Sequence, residues 1–198
     1  HIAQAFGSVS IGASAGPNTQ AAFSIAIGAN AGPAFPGNGS IAIGMNAGLT
    51  SQQQNGIAIG DFAGVNTQGG FAIALGASAG EGGQGNNSIA IGTDAGRSSQ
   101  AINAIAIGLN AGSGTQRQYA IAIGSSAGQV SQGDSAIAIG HNAGLLNQGT
   151  NGIALGNQAG LNQHQNSIIL NASGSVLNSS TQSACYINPI RQQDGIST

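Results

Sequence analysis

Few residues of this chain could carry out acid–base or metal chemistry, and their spacing does not bring them together. The histidines are His1, His141 and His164, and the single cysteine is Cys185. Catalysis needs a nucleophile, a base and an orienting group that converge, and a metal site needs clustered His, Cys or carboxylate ligands. No such cluster can be assembled from these positions. We therefore expect no enzymatic activity, no catalytic residue, no metal site and no cofactor.

The composition excludes several classes of binding protein. Charged residues make up 4% of the 198 residues, with a net charge of -2, whereas soluble proteins usually contain roughly 25%. The chain therefore has no basic stripe that could neutralise nucleic-acid phosphates or anionic lipids. No apolar run approaches the roughly 20 residues that span a bilayer. We expect neither nucleic-acid binding nor membrane insertion.

A sixteen-residue repeat runs through most of the sequence. Its core reads Ile-Ala-Ile-Gly, and a second glycine, always preceded by alanine, follows four residues after the first. A fixed period of this kind predicts stacked structural units, and the alternation of residue types within Ile-Ala-Ile is the period of a β-strand. The sequence predicts an all-β parallel solenoid over residues 1–174, with ten regular coils and one degraded coil, and a cap or linker over residues 175–198. The first glycines of the ten regular copies are Gly12, Gly28, Gly44, Gly60, Gly76, Gly92, Gly108, Gly124, Gly140 and Gly156.

The two faces of the repeated strand differ in side-chain size. Because side chains alternate across a strand, one face carries two branched aliphatics per coil and the other carries small residues. We expect the aliphatic face to fill the interior of the coil. The predicted roll core is Ile25, Ile27, Ile41, Ile43, Ile57, Ile59, Ile89, Ile91, Ile105, Ile107, Ile121, Ile123, Ile137 and Ile139.

The small-residue face is not polar, as a face turned to water would be. Strands that are apolar on both faces are normally covered on both, and a single solenoid covers one. We therefore expect this face to pack against identical chains, in a homotrimer. An alternative is that the small face meets water. The predicted interface column is Ala26, Ala42, Ala58, Ala74, Ala90, Ala106, Ala122, Ala138 and Ala154.

A glutamine recurs four residues after the second glycine in eight of the ten coils, and Pro36 and His164 stand in its place in the other two. Glutamines stacked at the strand spacing of about 4.8 Å can form a ladder of amide hydrogen bonds. We expect this column to staple the edge of the loops.

The pattern Ser-Ile-Ala-Ile-Gly-x-x-Ala resembles the head repeats of the YadA-like trimeric autotransporter adhesins, and the resemblance covers roughly residues 8 to 174. The resemblance implies a left-handed parallel β-roll and a homotrimer. The chain departs from that family in its second glycine and its glutamine, and it contains no heptad pattern of a coiled-coil stalk.

The C-terminal segment points to a different family. Asn171 to Asn178, followed by Cys185-Tyr186-Ile187-Asn188-Pro189-Ile190-Arg191, resembles the end of β-solenoid regions in tail-fibre-like proteins of phages and large DNA viruses. In those proteins an endosialidase-type intramolecular chaperone commonly follows this segment and trimerises the fibre. An alternative reading of Tyr186 to Arg191 is a terminal cap.

Two functions therefore stand open at the level of sequence. The first is a spacer or receptor-binding shaft of a virion or phage tail fibre. The second is a cellular adhesin head or extracellular filament subunit. Both place the protein at a virion surface or outside the cell, with identical chains, other fibre proteins and a host-surface receptor or glycan as expected partners. An ice-binding solenoid would need a repeated Thr-x-Thr rank, which the sequence lacks.

Overall fold

The protein is an all-β parallel solenoid, which confirms the fold class and the coil length predicted from the repeat. The structure is a computed structural model that describes residues 5–16, 20–32 and 35–190. No helix occurs in these ranges. The predicted positions His1 and Arg191 lie outside them.

One parallel sheet of twelve strands runs the whole length of the described chain, and each strand pairs with its counterpart one coil away. In the regular coils the register places equivalent repeat positions opposite each other: Ile105 pairs with Ile121, and Ala106 pairs with Ala122. In chain order the strands of this main sheet are β1 (Val9–Ile11), β2 (Ile25–Ile27), β4 (Ile41–Ile43), β6 (Ile57–Ile59), β8 (Ile73–Leu75), β9 (Ile89–Ile91), β11 (Ile105–Ile107), β13 (Ile121–Ile123), β15 (Ile137–Ile139), β17 (Ile153–Leu155), β19 (Ile168–Asn171) and β20 (Cys185–Asn188).

A second ladder of two-residue strands forms another wall of each coil. It consists of a three-stranded and a five-stranded parallel sheet, joined by single bridges from Gln84 to Gln68 and to Gln100. Its strands are β3 (Phe35–Pro36), β5 (Ser51–Gln52), β7 (Thr67–Gln68), β10 (Ser99–Gln100), β12 (Thr115–Gln116), β14 (Ser131–Gln132), β16 (Asn147–Gln148) and β18 (Asn162–Gln163).

The turn after each main strand depends on two special backbone conformations. The first glycine of the repeat has a φ of 126° at Gly108, and the residue two positions later is left-handed in every described coil, with a φ of 56° at Asn110. Asn, Ser and Asp tolerate that conformation better than other non-glycine residues, which explains their prevalence there. Phe62 and Gln158 adopt it as well.

The first glycines also mark the place where the coils approach each other most closely. A Cβ atom added to Gly108 would lie 2.7 Å from the carbonyl oxygen of Gly124 in the next coil. The same steric block recurs along the whole column, for example between Gly60 and Gly76. Both the turn and the stacking therefore require glycine at this position.

The interior of the coil contains small residues, and the predicted assignment of the two strand faces is wrong. The fourteen isoleucines of the predicted roll core point outward: none is buried, and Ile139 is 40% exposed. The nine alanines of the predicted interface column lie inside their own coil, with at most 2% exposure in the single chain. Eight of them, from Ala42 to Ala154, form one cluster with a second column of turn alanines, from Ala31 to Ala159.

The physical reason is the width of the coil, which a single glutamine side chain spans. From the second ladder, the Nε2 atom of Gln116 reaches the backbone oxygen of Ile105 in the main sheet, at 2.7 Å. Two sheets that sandwich branched side chains ordinarily lie about 10 Å apart. Between these two walls there is room for glutamine opposite alanine, but not for a layer of isoleucine.

The C-terminal end of the solenoid departs from the sixteen-residue period. Gln148 pairs with Gln163, so this coil contains fifteen residues, and His164 does not take the place of the glutamine as predicted. Ile169 then replaces the strand alanine and is fully buried. Leu177 and Tyr186 pack against the same cluster. The main sheet thus continues into the predicted cap segment, where larger side chains fill the end of the core.

We predict that Gly108→Ala disrupts the stacking of coils. The new methyl group would clash with the backbone of Gly124, and alanine would be held at a φ of 126°. Strained backbone of this kind costs on the order of 1–3 kcal/mol per residue, so urea denaturation should show a lower midpoint. The control is Gly83→Ala, where an added Cβ would meet no atom within 4 Å. Equal stability of the two variants would contradict the close approach.

Candidate interaction surface

The outer face of the main sheet is a continuous apolar surface, which we call the isoleucine face. Each of its twelve strands contributes two outward side chains, and eleven of the strands place Ile, Val or Leu at both positions. At the strand spacing this face is about 50 Å long. Exposure is greatest at its first strand, where Ile11 is 59% exposed, and remains 41% at Leu75. Apolar patches of this extent on a soluble protein indicate an interaction surface.

The second ladder presents the opposite chemistry to its surroundings. Its outward side chains are mostly hydroxyls and amides at half-exposed or exposed positions, namely Ser51, Thr67, Ser99, Thr115, Ser131, Asn147 and Asn162. Such groups form hydrogen bonds with water and need no protein partner. The coil therefore has one apolar surface, the isoleucine face, that favours burial against a partner, and one polar surface, the second ladder, that can remain in contact with water.

Inside the coil, the glutamines from Gln52 to Gln163 form a continuous amide ladder. The Nε2 atom of Gln116 donates to the backbone oxygens of Ile105 and Ala120, and to Oε1 of Gln132 at 3.1 Å. Its own Oε1 accepts from Nε2 of Gln100, also at 3.1 Å. The side chain of Gln116 is almost completely buried. The predicted ladder is confirmed, but it lies in the core and not at the edge of the loops.

The charged side chains of the described chain form small exposed groups. Arg97 contacts Glu81 at 2.9 Å and Asp94 at 3.5 Å. Arg117 lies 3.9 Å from Asp134, beside an open depression of about 500 Å³ on the second ladder. Exposed pairs of this kind contribute about 0–1 kcal/mol each. They lie on the loops of neighbouring coils, and none of them is a buried charge.

The structure places the two described histidines in separate loops. His141 Nδ1 lies 3.1 Å from Oδ1 of Asn157 on the surface, and His164 Nδ1 lies 3.0 Å from the hydroxyl of Ser179. Cys185 is exposed on the last strand. Over the residues that the structure describes, no three His, Cys, Asp or Glu side chains come close enough to share a metal ion. The same residues include no helix with the length and apolarity to cross a membrane.

The phenol oxygen of Tyr186 is surrounded by hydrogen-bond donors at the C-terminal end. It accepts from the backbone N–H groups of Ser180 and Thr181, at 3.0 and 3.1 Å, and both hydroxyls lie at the same distances. These side-chain bonds, from Ser180 and then Thr181, favour the ionised phenolate. They lower the pKa of Tyr186 from 10.0 to about 8. Sequence reasoning noted Tyr186 only as part of a motif, because the donors become visible only in the folded turn.

Comparison with known proteins identifies one similarity. The family model described as the YadA head domain repeat matches the chain in two copies, with residues 84–95 aligned. These residues contain the end of a loop, Gln84 of the amide ladder, strand β9 and the following turn. No curated protein and no solved structure matches the chain. The repeat is thus similar to that of YadA heads over one segment of about a coil.

We predict that Gln116→Leu destabilises the solenoid by about 2–4 kcal/mol. Leucine cannot donate to Gln132 or accept from Gln100, and each buried polar group left without a partner costs about 1–3 kcal/mol. Equilibrium denaturation measures the change. The control is Gln118→Leu, two residues along the same coil, where the side chain is half-exposed and the change should be nearly neutral. A neutral Gln116→Leu would refute the structural role of the ladder.

We predict that Tyr186 ionises near pH 8. In Tyr119→Phe, which leaves Tyr186 as the one tyrosine, the phenolate absorbance should rise with a midpoint of about 8. Because the folded pKa lies below the unfolded value of about 10, this group adds stability above pH 10, and that contribution is lost as the pH falls through about 8. Replacing Ser180 with Ala should move the midpoint upward. A midpoint near 10 in the unmodified turn would rule out the donor arrangement.

Proposed function

We propose that this protein is a non-catalytic structural and adhesive segment of a trimeric fibre. Three chains would pack their isoleucine faces around a common axis that runs parallel to the stack of coils. The observation that carries this proposal is the exposure of two apolar columns along the whole main sheet. An apolar face of a parallel sheet is normally covered, and no other element of the described chain covers it.

A cyclic arrangement suits a face of this shape. A long and narrow apolar stripe that follows the stacking axis can be buried by identical stripes placed around that axis, and cyclic symmetry keeps all chains pointing in the same direction. A fibre needs such a polarity, because one end is attached and the other is presented. The similarity of residues 84–95 to the YadA head repeat supports a trimer, with coils wound in the left-handed sense that the resemblance implies.

The trimer would leave the polar second ladder and the loops on the outside. We propose that this outer surface makes the fibre's contacts with other fibre proteins and with a host-surface receptor or glycan. The described histidines contact neighbouring side chains in separate loops, His141 at Asn157 and His164 at Ser179, which favours a shaft without catalysis. The interior offers mainly alanine, serine and glutamine in the regular coils, so most of the chemical variety of the coil lies in the outer loops.

We place the fibre on a virion or phage tail. The support is the segment from Cys185 to Arg191, which resembles the end of viral β-solenoids. A cellular adhesin head is a second candidate, and the YadA head similarity favours it. In both settings the protein acts outside a cell and the solenoid serves the same mechanical purpose.

We predict that the wild-type chain has a solution mass three times its own 19.0 kDa. Replacing Ile105 and Ile121 together with glutamate should abolish the trimer, because six carboxylates would be brought together in an apolar interface and buried unpaired charge is strongly unfavourable. Light scattering and analytical ultracentrifugation measure the mass, and far-UV circular dichroism checks that the coils remain folded. The matched control places glutamate at Ser99 and Thr115 of the second ladder.

Two results would overturn the proposal in different ways. A wild-type mass of 19.0 kDa at micromolar concentration contradicts the trimer itself. A trimer that survives the two isoleucine substitutions unchanged contradicts the assignment of its interface. Cys185 gives a further readout, because it pairs with Ile168 and so continues one isoleucine column. Assembly should therefore slow its reaction with maleimide, relative to the glutamate variant.

A further inference from the structure

The amide ladder is interrupted at one position, where the sequence has proline. Pro36 pairs with Gln52 in the register that glutamines occupy in the following coils. Oε1 of Gln68 accepts a hydrogen bond from Nε2 of Gln52 at 3.0 Å. The equivalent bond to Oε1 of Gln52 would have to come from position 36, where a proline side chain has no N–H to donate. Oε1 of Gln52 is buried and has no hydrogen-bond partner.

A cavity lies at this interruption. It is lined by Gln20 and Gln52, the glutamines on either side, and by Gly16, Ser24, Ile25, Ala26, Gly32 and Ser40. It leaves about 10 Å³ for the centre of a water molecule, which is room for one. In the next coil a Cβ added to Gly48 would meet the carboxamide of Gln52, whereas at Gly32 the nearest atoms of the described residues belong to Ala26 and Gly16. The cavity therefore occupies the volume that a glutamine carboxamide fills elsewhere.

The walls of this cavity carry the acceptors that the missing carboxamide would have used. In regular coils, Nε2 donates to the backbone oxygens eleven residues earlier and four residues later, and to Oε1 sixteen residues later, as Gln68 does with Ile57, Ala72 and Gln84. Counted from position 36, the corresponding residues are Ile25, Ser40 and Gln52. All three line the cavity.

A donor faces the same space from the opposite side. Nε2 of Gln20 bonds to the backbone oxygens of Val9 and Ser24, at 2.7 and 3.4 Å. In a regular coil the same atom would also donate to the glutamine one coil later, which at this point is Pro36. The cavity thus combines acceptors on one side with an amide donor on the other.

We propose that this cavity is a binding site for one buried water molecule. The water would accept from Nε2 of Gln20 and donate to Oε1 of Gln52 and to the backbone oxygen of Ile25 or Ser40. Buried waters typically make about three hydrogen bonds to polar groups that lack other partners. A monovalent cation would meet the same oxygens, but it would also meet the N–H of Gln20, and none of the described residues that line the cavity has a carboxylate to balance its charge. The site therefore takes a neutral ligand that both donates and accepts.

The bound water would restore the continuity of the ladder across the proline coil. A glutamine at position 36 would donate to Oε1 of Gln52 and accept from Nε2 of Gln20. The water makes both of these hydrogen bonds in its place. This inference concerns the interior of a single chain, so it holds whether or not the chain forms the proposed trimer.

The test compares the full chain with its Pro36→Gln and Pro36→Ala variants in crystals that resolve ordered water. The wild type should show one spherical density peak within hydrogen-bond distance of Oε1 of Gln52. Pro36→Gln should replace that peak with the carboxamide of the new glutamine. Pro36→Ala removes the proline ring without supplying an amide, so the water should remain. Hydrogen exchange at the amides of Ile25 and Ile41 should slow by about tenfold in Pro36→Gln, the size of effect expected for one hydrogen bond, and should not slow in Pro36→Ala.

Three results would overturn the proposal. The first is a wild-type cavity that has collapsed around Gln52 with no density in it. The second is a peak whose anomalous signal grows when the crystals are soaked in rubidium, which would identify a cation site. The third is a water peak that persists unchanged beside the new side chain of Pro36→Gln.

Discussion

The reach of one glutamine side chain fixes the cross-section of this protein. Because Nε2 of Gln116 bonds directly to the backbone of the main sheet, the two walls of the coil cannot move apart without losing a buried hydrogen bond. Small side chains are the only ones that fit beside the glutamines, so alanine fills the interior. The larger aliphatic side chains of the same strands must then lie outside. Because the interior is too narrow for these side chains, the single chain has an exposed apolar face that only another chain could bury.

The sequence was sufficient to predict the architecture. A period of sixteen residues without insertion, and alternation within Ile-Ala-Ile, predicted the parallel stack and the coil length. These features depend on the backbone and on the strand register, and the regular spacing of the glycines indicates both. The ladder of glutamines was also predictable, because glutamines that recur once per coil lie at the strand spacing from one another, within reach of an amide hydrogen bond.

The same reasoning assigned the strand faces in reverse, and the error has a clear origin. Large apolar residues were placed inside by the usual rule of burial, without asking how wide the coil is. The variation among the repeats indicates which strand positions lie inside the coil. The strand alanine is unchanged from Ala26 to Ala154, whereas the outer columns accept Val9 and Leu75 in place of isoleucine. A position that tolerates no added methyl group marks the tightest packing. The fifteen-residue coil and the donors around Tyr186 could not be anticipated, because both depend on how the degraded last repeat folds.

The uniform interior also has a genetic consequence. Since nearly every coil presents the same alanines and the same glutamine to its neighbours, any regular coil can stack on any other. Unequal recombination between the repeated coding segments would therefore lengthen or shorten the protein by whole coils and leave each junction intact. The length of the rod can therefore change during evolution in steps of one coil, and the outer loops can be exchanged between coils independently of one another. Among the described coils, the one that carries Pro36 and the degraded coils that follow Gln148 are exceptions to this interchangeability.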